Sequence, residues 1–402
     1  MEQICDIRSC TGCMACSQVC HKSAISFNPD EEGFLRPIID NDLCVDCGSC
    51  VRVCPANNKP ELYDSLCAYS GWSKDETTRL NSSSGGAFIE IAKLIIARGG
   101  VVFGCELDEK LTPRHCYIEN ECELSRLTGS KYVQSYIGNA YQEAKSFLET
   151  DRQVLFSGTP CQIAGLRNFL KKKYEKLLTI DIMCHGVPSP MIFADYLAYQ
   201  KRRLKLSGIE VARFRDKAKS WLYFNMLISG TDENGNRQQY IGGYFDDPYI
   251  RGFLRDYFLR PCCHVCDYAS KLRGGDITLA DWWGYNGKLK EDKDYERKGV
   301  SLVMVNTPAG QKIVDALNMH LIKRTKQEAW ATNVCFSRSF APSPLREQFW
   351  NDYNLLPFDE MVSRYMSAER LKGIAYLRYK MPNSYLIKLL ERIKYKLKKL
   401  CR

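Results

Sequence analysis

The segments CTGCMACSQVC (residues 10–20) and CVDCGSCVRVCP (residues 44–55) decide how the start of this chain folds. Both have the spacing CxxCxxCxxxC. In this pattern three closely spaced thiolates bind one 4Fe-4S cluster, and the fourth Cys of each run binds the other cluster. The predicted ligands are Cys10, Cys13, Cys16 and Cys54 for the first cluster, and Cys44, Cys47, Cys50 and Cys20 for the second.

Structural zinc is the alternative for these cysteines, because CxxC pairs also suit a tetrahedral zinc site. Zinc sites are usually built from paired CxxC halves, whereas here three cysteines in a row have a distant fourth. The spacing therefore favours iron-sulfur clusters. The first run ends in Cys20-His21 instead of the usual Cys-Pro, which alters the turn but removes no ligand.

The chain has 20 Cys in 402 residues, so their redox setting matters. Its first ten residues lack the basic and apolar regions of an export signal. The most apolar helical stretch, residues 87–100, is interrupted by Glu90, Lys93 and Arg98, which argues against a membrane-spanning helix. We therefore expect a cytoplasmic protein whose clustered thiols bind metal instead of forming disulfides.

The net charge of +10 is concentrated at the carboxyl end. Residues 388–402 contain seven basic residues and one acidic residue, so the body is only mildly basic, which argues against a nucleic-acid partner. From residue 386 onward the chain has an apolar stripe formed by Leu386, Leu390, Ile393, Leu397 and Leu400. It suits peripheral contact with an anionic inner membrane face or an acidic partner, and equally a helix packed on the body.

The pattern of apolar segments predicts three regions. Residues 1–60 form the Cys-rich module, residues 61–345 an α/β domain with a β-rich part at about 205–285, and residues 346–402 a helical tail. Two units each have the pattern of a strand, a loop and a helix. The first is QVLFSGTPCQIAGLRNFL, and the second is LLTIDIMCHGVPSP together with the following MIFADYLAYQKRRL. Such units favour parallel strands, so both loops should lie at the same edge of one sheet.

Two more cysteines, Cys161 and Cys184, lie in these loops, where open α/β sheets bind ligands. The pair Cys263 and Cys266 in CCHVC would complete a set of four thiolates. The spacing is compatible with a third metal site. It is equally compatible with small buried side chains and an unrelated turn.

The same loops have features that suit a phosphate. The Gly-Thr-Pro turn before Cys161 and the serines and glycines of residues 82–86 each precede a helix, whose N-terminus favours an anion. Such sequences also simply cap helices. Together they predict a cofactor with a pyrophosphate, and a flavin is the natural partner of 4Fe-4S clusters because it links one-electron to two-electron chemistry.

Six strings resemble the coenzyme F420 hydrogenase/dehydrogenase beta-subunit family: SSSGGAF, GGVVFGCELD, GSKYVQSYIG, VLFSGTPCQIAGL, DIMCHGVPSP and CCHVCDYASKLRGGDITLADWWG. The resemblance extends to about residue 345. It implies an iron-sulfur flavoprotein that binds FAD and passes electrons between clusters and a two-electron donor or acceptor. Bacterial relatives that join a ferredoxin module to this domain often accompany surface-polysaccharide genes.

The resemblance also implies individual site residues. Cys161, Cys184, Cys263 and Cys266 would hold a third 4Fe-4S cluster, although Cys262 leaves open which of the adjacent pair is the ligand. The residues implied to line the FAD site are Ser83, Ser84, Gly85, Gly86, Lys131, Ser157, Gly158, Thr159 and Pro160. His185 is a candidate catalytic proton donor near the flavin, the alternative being that it only satisfies backbone groups.

The predicted fold is an α+β ferredoxin-like two-cluster module followed by an α/β flavin-binding domain with a helical C-terminal tail. The predicted function is an oxidoreductase that passes electrons between reduced ferredoxin, or a similar carrier, and an FAD-linked substrate or cofactor. Two alternatives are a non-catalytic electron-transfer subunit that docks onto a separate redox enzyme, and a dehydrogenase of the deazaflavin coenzyme F420.

Overall fold

The computed structural model describes residues 2–284, Asp292 and residues 294–368. The strands are β1 (Ile25–Pro29), β2 (Leu35–Ile39), β3 (Cys67–Ser73), β4 (Val101–Leu107), β5 (Pro113–Ile118), β6 (Val154–Gly158), β7 (Leu177–Ile182), β8 (Leu206–Asp216), β9 (Asn225–Asp232), β10 (Arg237–Gly243), β11 (Ile277–Asp281), β12 (Ser301–Val305) and β13 (Met319–Arg324).

The helices are α1 (Ala15–Gln18), α2 (Ser49–Val53), α3 (Glu76–Asn81), α4 (Ala87–Ala97), α5 (Leu124–Leu127), α6 (Ala140–Glu149), α7 (Pro160–Leu170), α8 (Pro190–Arg203), α9 (Pro248–Leu254), α10 (Tyr295–Lys298), α11 (Pro308–Val314), α12 (Lys326–Thr332), α13 (Arg346–Tyr353) and α14 (Phe358–Tyr365). Three 3-10 helices cover Glu121–Glu123, Pro261–Val265 and Val334–Phe336.

The N-terminal module is a β1–β2 antiparallel hairpin placed between two short helices, α1 and α2, that follow the two Cys-rich loops. Each of these helices begins after a residue in the left-handed region, Met14 at φ 60° and Gly48 at φ 70°. These turns bring the thiols of each loop to one side, as the predicted ferredoxin-like module requires.

The large domain is built on an eight-stranded mixed sheet in the order β13-β3-β12-β11-β7-β6-β4-β5. Strands β4, β6, β7 and β11 are parallel neighbours. This confirms the prediction that the two loops carrying Cys161 and Cys184 leave the sheet at the same edge.

Strand β3 runs in the same direction as these four strands, because it is antiparallel to β12 and β12 is antiparallel to β11. The loops after β3, β4, β6, β7 and β11 therefore leave the sheet at one edge, called here the carboxyl edge. All the loops predicted to bind cofactors are among them or lie beside them.

Alternate residues of the central strands face different layers, as the two-residue period of a strand requires. Val101, Phe103, Val154 and Phe156 pack with α6, α7 and the N-terminal module. Leu155 and its neighbours pack on the other side with α4 and α11. The N-terminal module therefore shares a hydrophobic core with one face of the large sheet.

A smaller antiparallel sheet, in the order β10-β9-β8, lies in the β-rich region predicted at about 205–285. Its apolar face packs with α8 and α9 and with the helices α13 and α14. Residues 346–353 and 358–365 are therefore helical, as expected for the start of the tail. The predicted basic amphipathic stretch at 388–402 and its apolar stripe lie outside the described residues.

Candidate functional site

The first thiol group comprises Cys10, Cys13, Cys16 and Cys54, all of them buried. Burial, together with the neighbouring thiols Cys54 and Cys10, raises the pKa of Cys13 to about 12. Burial likewise raises the pKa of Cys16, with contributions from the other three thiols. Four mutually close thiols in an apolar site ionise readily only beside a cation, so this set suits a metal cluster.

A fifth thiol, Cys5, contacts this group although its spacing predicts no metal role. Side-chain hydrogen bonds to Cys10 and Cys54 are the largest causes of its raised pKa. No local pattern indicated this contact, because Cys5 precedes the motif and reaches the group only through the fold.

The second thiol group comprises Cys20, Cys44, Cys47 and Cys50, which line one cavity of about 370 Å³. The structure thus brings together the four residues that the spacing predicts. Cys47 is exposed, so this cavity lies at the protein surface. Among the described residues, no three His, Cys, Asp or Glu side chains converge closely enough to hold a single metal ion.

A larger cavity of about 900 Å³ lies between the N-terminal module and the carboxyl edge. Thr11 and Pro55 of the module form part of its wall. Six thiols, called here the third thiol group, also line it: Cys161, Cys184, Cys262, Cys263, Cys266 and Cys335. The four cysteines implied by the resemblance are therefore brought into one cavity.

Both members of the adjacent pair at 262 and 263 face this cavity. Cys263 Sγ accepts a hydrogen bond from the Val187 amide at 3.3 Å. The adjacent Cys262 is the largest cause of the raised pKa of Cys263, burial is the next, and Cys184 lies close enough to add to the rise. A side-chain hydrogen bond with Cys263 is the largest cause of the lowered pKa of Cys262, and the nearby Arg260 and Cys10 act on it in opposite directions. Cys262 also lies close enough to Cys161 and Cys266 to raise the pKa of both thiols. Cys262 is thus the member of the pair nearer to the first thiol group.

Cys335 is the thiol that sequence reasoning missed in this cavity. Burial raises the pKa of Cys335 to about 11, and the Cys266 thiol adds to the rise. A lone Cys in the sequence has no spacing partner, and only the 3-10 helix Val334–Phe336 brings it to the wall.

Cys161 is positioned by the turn that starts α7. Thr159 and Gln162 form a capping box, in which the Thr159 amide donates to Gln162 Oε1 at 2.8 Å. Pro160 has no amide proton to donate. The amide of Thr159 is therefore already used within the turn that the sequence predicts to suit a phosphate.

Two arginines contact Cys10 of the first thiol group. Arg260 is fully buried, and it donates to Cys10 O at 2.7 Å and to Cys10 Sγ at 3.4 Å. Arg36 donates to the same carbonyl at 3.3 Å. The guanidinium of Arg260 also donates to Gln134 Oε1 at 2.9 Å, which ties the first thiol group to the large domain.

Residues 130–135 link the predicted flavin residues to the first thiol group. The amide of Ser130 donates to Ser83 Oγ at 2.7 Å, at one end of the segment. Gln134 accepts from Arg260. Ser135 hydrogen bonds to His115 Nδ1 at 3.0 Å. This single extended segment therefore connects the loop after β3, the first thiol group and the centre of the carboxyl edge.

His115 is a buried residue at this edge that the sequence did not reveal. Its Nε2 donates to the carbonyl oxygen of Ser157 at 3.1 Å, and its Nδ1 accepts from Ser135, which in turn accepts from Gln162. Burial lowers the pKa of His115 to about 4. The ring is thus held neutral among Ser157, Ser135 and Gln162.

The serine and glycine loop at 82–86 is held against β12 by specific contacts. The Ser84 hydroxyl donates to Val300 O at 2.8 Å, and the Gly85 amide donates to Ser301 Oγ at 2.9 Å. A Cβ on Gly85 would lie 2.3 Å from the Gly71 carbonyl oxygen, so only glycine fits. Gly86, at φ +96°, then caps α4.

The remaining predicted flavin residues lie near this loop and β6. Lys131 Nζ donates to Thr128 O at 3.0 Å, and burial lowers its pKa. Ser157 Oγ donates to Phe103 O at 3.0 Å. Gly158 leaves little room for a side chain, because its Cβ would lie 3.0 Å from Gln162 Oε1. All belong to the carboxyl edge.

Arg215 offers a test of whether a flavin suits this edge. Its guanidinium is almost fully buried, pairs with Asp281 at 3.1 Å and lies over the Trp283 ring at 5.0 Å. Its Nε and Nη2 atoms find no hydrogen-bond partner among the described residues. Buried donors without partners are costly, so an anionic or carbonyl-bearing cofactor beside Arg215 fits the residues present. Trp283 stacks on Trp221 at 5.1 Å.

His185, the predicted proton donor, lies in the wall of the large cavity next to Cys184. Its Nε2 hydrogen bonds to Asp256 Oδ1 at 2.6 Å, and its ring packs on Phe340 at 3.9 Å. The imidazole is therefore fixed by a carboxylate and not by backbone groups.

Two segments of the chain match known protein families. Residues 151–329 match the family described as the carboxyl terminus of the coenzyme F420 hydrogenase/dehydrogenase beta subunit. Residues 9–58 match the 4Fe-4S dicluster domain. The predicted relationship to this beta-subunit family and the presence of an iron-sulfur module are thereby confirmed.

Two relatives share this relationship. The chain is 23% identical over 290 residues to the F subunit of the F(420)H(2) dehydrogenase of Methanosarcina mazei, which covers 68% of this chain and 77% of that protein. It is 26% identical over 206 residues to a coenzyme F420-dependent sulfite reductase of Methanocaldococcus jannaschii, covering 49% of this chain and 31% of that protein.

A solved structure also aligns with the chain. It comes from the F420-reducing NiFe hydrogenase complex of Methanosarcina barkeri, with a TM-score of 0.42 and 15% identity, and it covers 76% of this chain and 94% of that chain. None of the described helices combines the length and the hydropathy that crossing a bilayer requires.

Proposed function

Because the chain joins a 4Fe-4S dicluster domain to a C-terminal domain of the coenzyme F420 hydrogenase/dehydrogenase beta-subunit family, we propose that it is an iron-sulfur flavoprotein oxidoreductase. Single electrons pass between a protein carrier, such as reduced ferredoxin, and FAD through three 4Fe-4S clusters. The observation that carries this proposal is the serial arrangement of the three thiol groups from the surface to the carboxyl edge.

The proposed path starts at the second thiol group, where Cys47 is exposed. The first thiol group follows. In the predicted ligand sets each Cys run supplies its last cysteine to the other cluster, Cys20 to the second and Cys54 to the first, so the two clusters must be neighbours. The first thiol group packs against Gly165 of α7. Cys161 precedes Gly165 by four residues, so it lies on the same face of α7 one turn away. The proposed third cluster thus adjoins the first along a single helix.

FAD is proposed to bind where the loops of the carboxyl edge meet. A bound flavin links the single electrons of the clusters to the transfer of an electron pair. Arg215 would donate to an anionic or carbonyl group of the cofactor, which would satisfy Nε and Nη2. Ser83, Ser84, Lys131 and the segment at 157–160 remain the proposed lining.

His185 is proposed to hold the proton that accompanies two-electron transfer. Its Nε2 bond to Asp256 fixes the ring and would leave Nδ1 for the cavity side. A positioned imidazole is the commonest group for moving a proton near neutral pH. Replacing His185 by Gln should slow turnover of a two-electron acceptor while leaving cluster reduction by dithionite unchanged; equal turnover would remove this role.

A second function is supported by the exposure of the second thiol group. A chain that presents a cluster at its surface suits a component of a larger redox complex, and one relative is named as one of the subunits of a dehydrogenase. In that case the chain would transfer electrons without a substrate site of its own. Flavin bound to the isolated chain, with turnover of a small acceptor, would exclude this alternative.

The deazaflavin coenzyme F420 is the third candidate, as both relatives carry it in their names. Oxidation of reduced F420 by the reconstituted chain, with a viologen dye as acceptor, would support it, and no reaction would remove it. A role in surface-polysaccharide metabolism rests on the family resemblance alone. Membrane contact through residues 388–402 is a further proposal, and vesicle binding that persists after deletion of residues 382–402 would contradict it.

The proposed function is tested by anaerobic purification of the full chain followed by iron, acid-labile sulfide and flavin analysis. Three clusters predict about twelve iron atoms per chain, together with FAD released on denaturation. Reduction by dithionite should bleach both clusters and flavin. Clusters that bleach while no flavin is found, before or after reconstitution with FAD, would favour the non-catalytic alternative.

A further inference from the structure

Residues 40–47 form an exposed surface directly over the second thiol group. Leu43 is 50% exposed and Val45 is 56% exposed, and they flank the predicted ligand Cys44. Cys47 at the end of the segment is itself exposed. Val45 and Asp46 also form part of the cavity that the four thiols line. The exposed Val45 is therefore part of the wall of the site, and the exposed Leu43 precedes the predicted ligand Cys44 in the same segment.

The charge of the module differs in sign from that of the remainder of the chain. Residues 1–60 contain five basic and eight acidic residues, so the module has a net charge of −3 within a chain of net charge +10. Three of these acids, Asp40, Asp42 and Asp46, alternate with Leu43 and Val45 and are exposed. Lys22 in the cavity wall and Arg52 beside Cys47 are basic, so the three carboxylates leave this surface with a small net negative charge around its apolar side chains.

The turn that presents this surface is ordered by its own contacts. Asp40 Oδ1 accepts from the amide of Asp42 at 3.0 Å, and the Cys44 amide donates to the Asp40 carbonyl at 2.9 Å. Arg52 donates to the Cys47 carbonyl at 3.0 Å. The apolar side chains are thus held outward by a fixed backbone and do not need to rearrange before a partner binds.

We propose that residues 40–47 are the docking surface for a redox partner protein that presents an apolar patch surrounded by Lys and Arg. This inference rests on the proposed function, because it requires a cluster in the second thiol group. Complementary charge raises the rate of encounter, and a small apolar contact is typical of transient electron-transfer complexes. The same charges disfavour a ferredoxin with an acidic face at this surface, so this inference narrows the carrier of the proposed function to a protein with a basic face.

The competing surface lies beside the large cavity, where Val265 is 76% exposed. It differs in that its wall belongs to the third thiol group and the nearby His185. A partner that docked there would bypass the first two thiol groups. The two surfaces are distinguished by substituting each in turn.

The experiment measures electron transfer from the dithionite-reduced, cluster-loaded full chain by stopped flow. The probe is mitochondrial cytochrome c, a basic one-electron acceptor protein, and an acidic plant-type ferredoxin serves for comparison. We expect Asp42→Asn with Asp46→Asn to lower the cytochrome c rate constant about fivefold at low salt, with little change at high salt. Leu43→Ser with Val45→Ser should lower it about tenfold at either salt concentration.

Matched control variants change surface chemistry elsewhere. Leu66→Ser removes an apolar side chain that is exposed to the same 56% as Val45, and Glu109→Gln with Glu175→Gln removes two exposed charges of the large domain. Both controls should retain the parent rate. The small acceptor ferricyanide should oxidise every variant at the parent rate, because it needs no docking surface.

If Leu43→Ser with Val45→Ser transfers electrons to cytochrome c at the rate of the parent protein, the docking proposal is overturned. A loss of rate that occurs only in Val265→Ser would also overturn it. A cytochrome c rate constant that rises with increasing salt would overturn the assignment of a basic partner, because salt weakens the attraction between opposite charges. These failures are distinct from failure of the proposed function, which would appear earlier as a full chain without iron in the second thiol group.

Discussion

The backbone of Gly165 in α7 packs directly against Cys13 of the first thiol group. A Cβ atom at Gly165 would lie 2.9 Å from Cys13 Sγ and 3.0 Å from Cys13 Cβ. Real Cβ atoms do not approach so closely, so glycine is required for the N-terminal module to pack on α7. The contact also brings the first thiol group within one helical turn of Cys161.

Replacing Gly165 by Ala should therefore destabilise the packing of the module on α7. Overpacking of a tight contact typically costs about 1–3 kcal/mol. We expect a lower midpoint of thermal unfolding and a loss of iron from the first cluster. Gly208→Ala is the matched control, since no atom of the described residues lies within 4 Å of its added Cβ. Equal iron content and equal midpoints for both variants would show that the contact is unimportant.

Arg260 should raise the reduction potential of the first cluster. A buried cation that donates to Cys10 O and Cys10 Sγ stabilises the more negative, reduced state. Arg260→Gln is expected to lower the reduction potential of the first cluster. Arg260→Lys, which keeps the positive charge, should lower it less. Redox titration followed by electron paramagnetic resonance measures the shift.

The control for this prediction is Arg213→Gln, because Arg213 is largely exposed and its guanidinium pairs with Asp216. The reduction potential of the first cluster in Arg213→Gln should equal that in the parent protein. A first cluster whose potential is the same in Arg260→Gln as in Arg213→Gln would show that Arg260 does not tune it.

The third thiol group contains more cysteines than one cluster needs, which allows a direct test of its ligands. Ser replacement of Cys161, Cys184, Cys263 or Cys266 should each remove about four iron atoms per chain. Cys262→Ser and Cys335→Ser should retain all the iron, although both thiols face the same cavity. Iron loss in Cys262→Ser with retention in Cys263→Ser would reverse the assignment of the adjacent pair.

His115 should make the folded state less stable as the pH falls. Burial holds its folded pKa at about 4, below the ordinary value of 6.5, so the unfolded chain binds a proton that the folded chain does not. Stability is therefore lost as the pH falls from about 6.5 towards 4, by roughly 2 kcal/mol at pH 5.

The His115 prediction is checked by thermal unfolding at pH 7.5 and pH 5. His115→Gln should show a smaller fall in midpoint between the two conditions than the parent protein. His320→Gln, which removes an exposed ring, is the control and should behave like the parent protein. An equal fall in all three proteins would show that His115 does not contribute.

The sequence predicted the parts of the site that depend on short spacing. The meeting of Cys44, Cys47 and Cys50 in the cavity of the second thiol group was predicted, because residues a few positions apart on one loop must lie close together. The meeting of Cys161 and Cys184 followed from one further rule, that parallel strands end at the same edge. The strands and helices around them were predicted for the same reason, since their apolar pattern is local.

The parts that sequence reasoning missed depend on contacts between distant segments. Arg260 reaches Cys10 across most of the chain, and Cys335 enters the large cavity without any neighbouring Cys in the sequence. The capping box at Thr159 was also hidden, because it depends on where the Gln162 side chain points. Arg215 carried no signal, as an isolated arginine in a strand is ordinary.

The central claim is that the paired cysteine runs at the amino end hold two 4Fe-4S clusters. Iron and acid-labile sulfide in the anaerobically purified Cys161→Ser variant, which keeps only those clusters, test it most directly. We predict about eight atoms of each per chain, with a brown colour that dithionite bleaches. A colourless variant without bound iron, or one with stoichiometric zinc in its place, would contradict this claim.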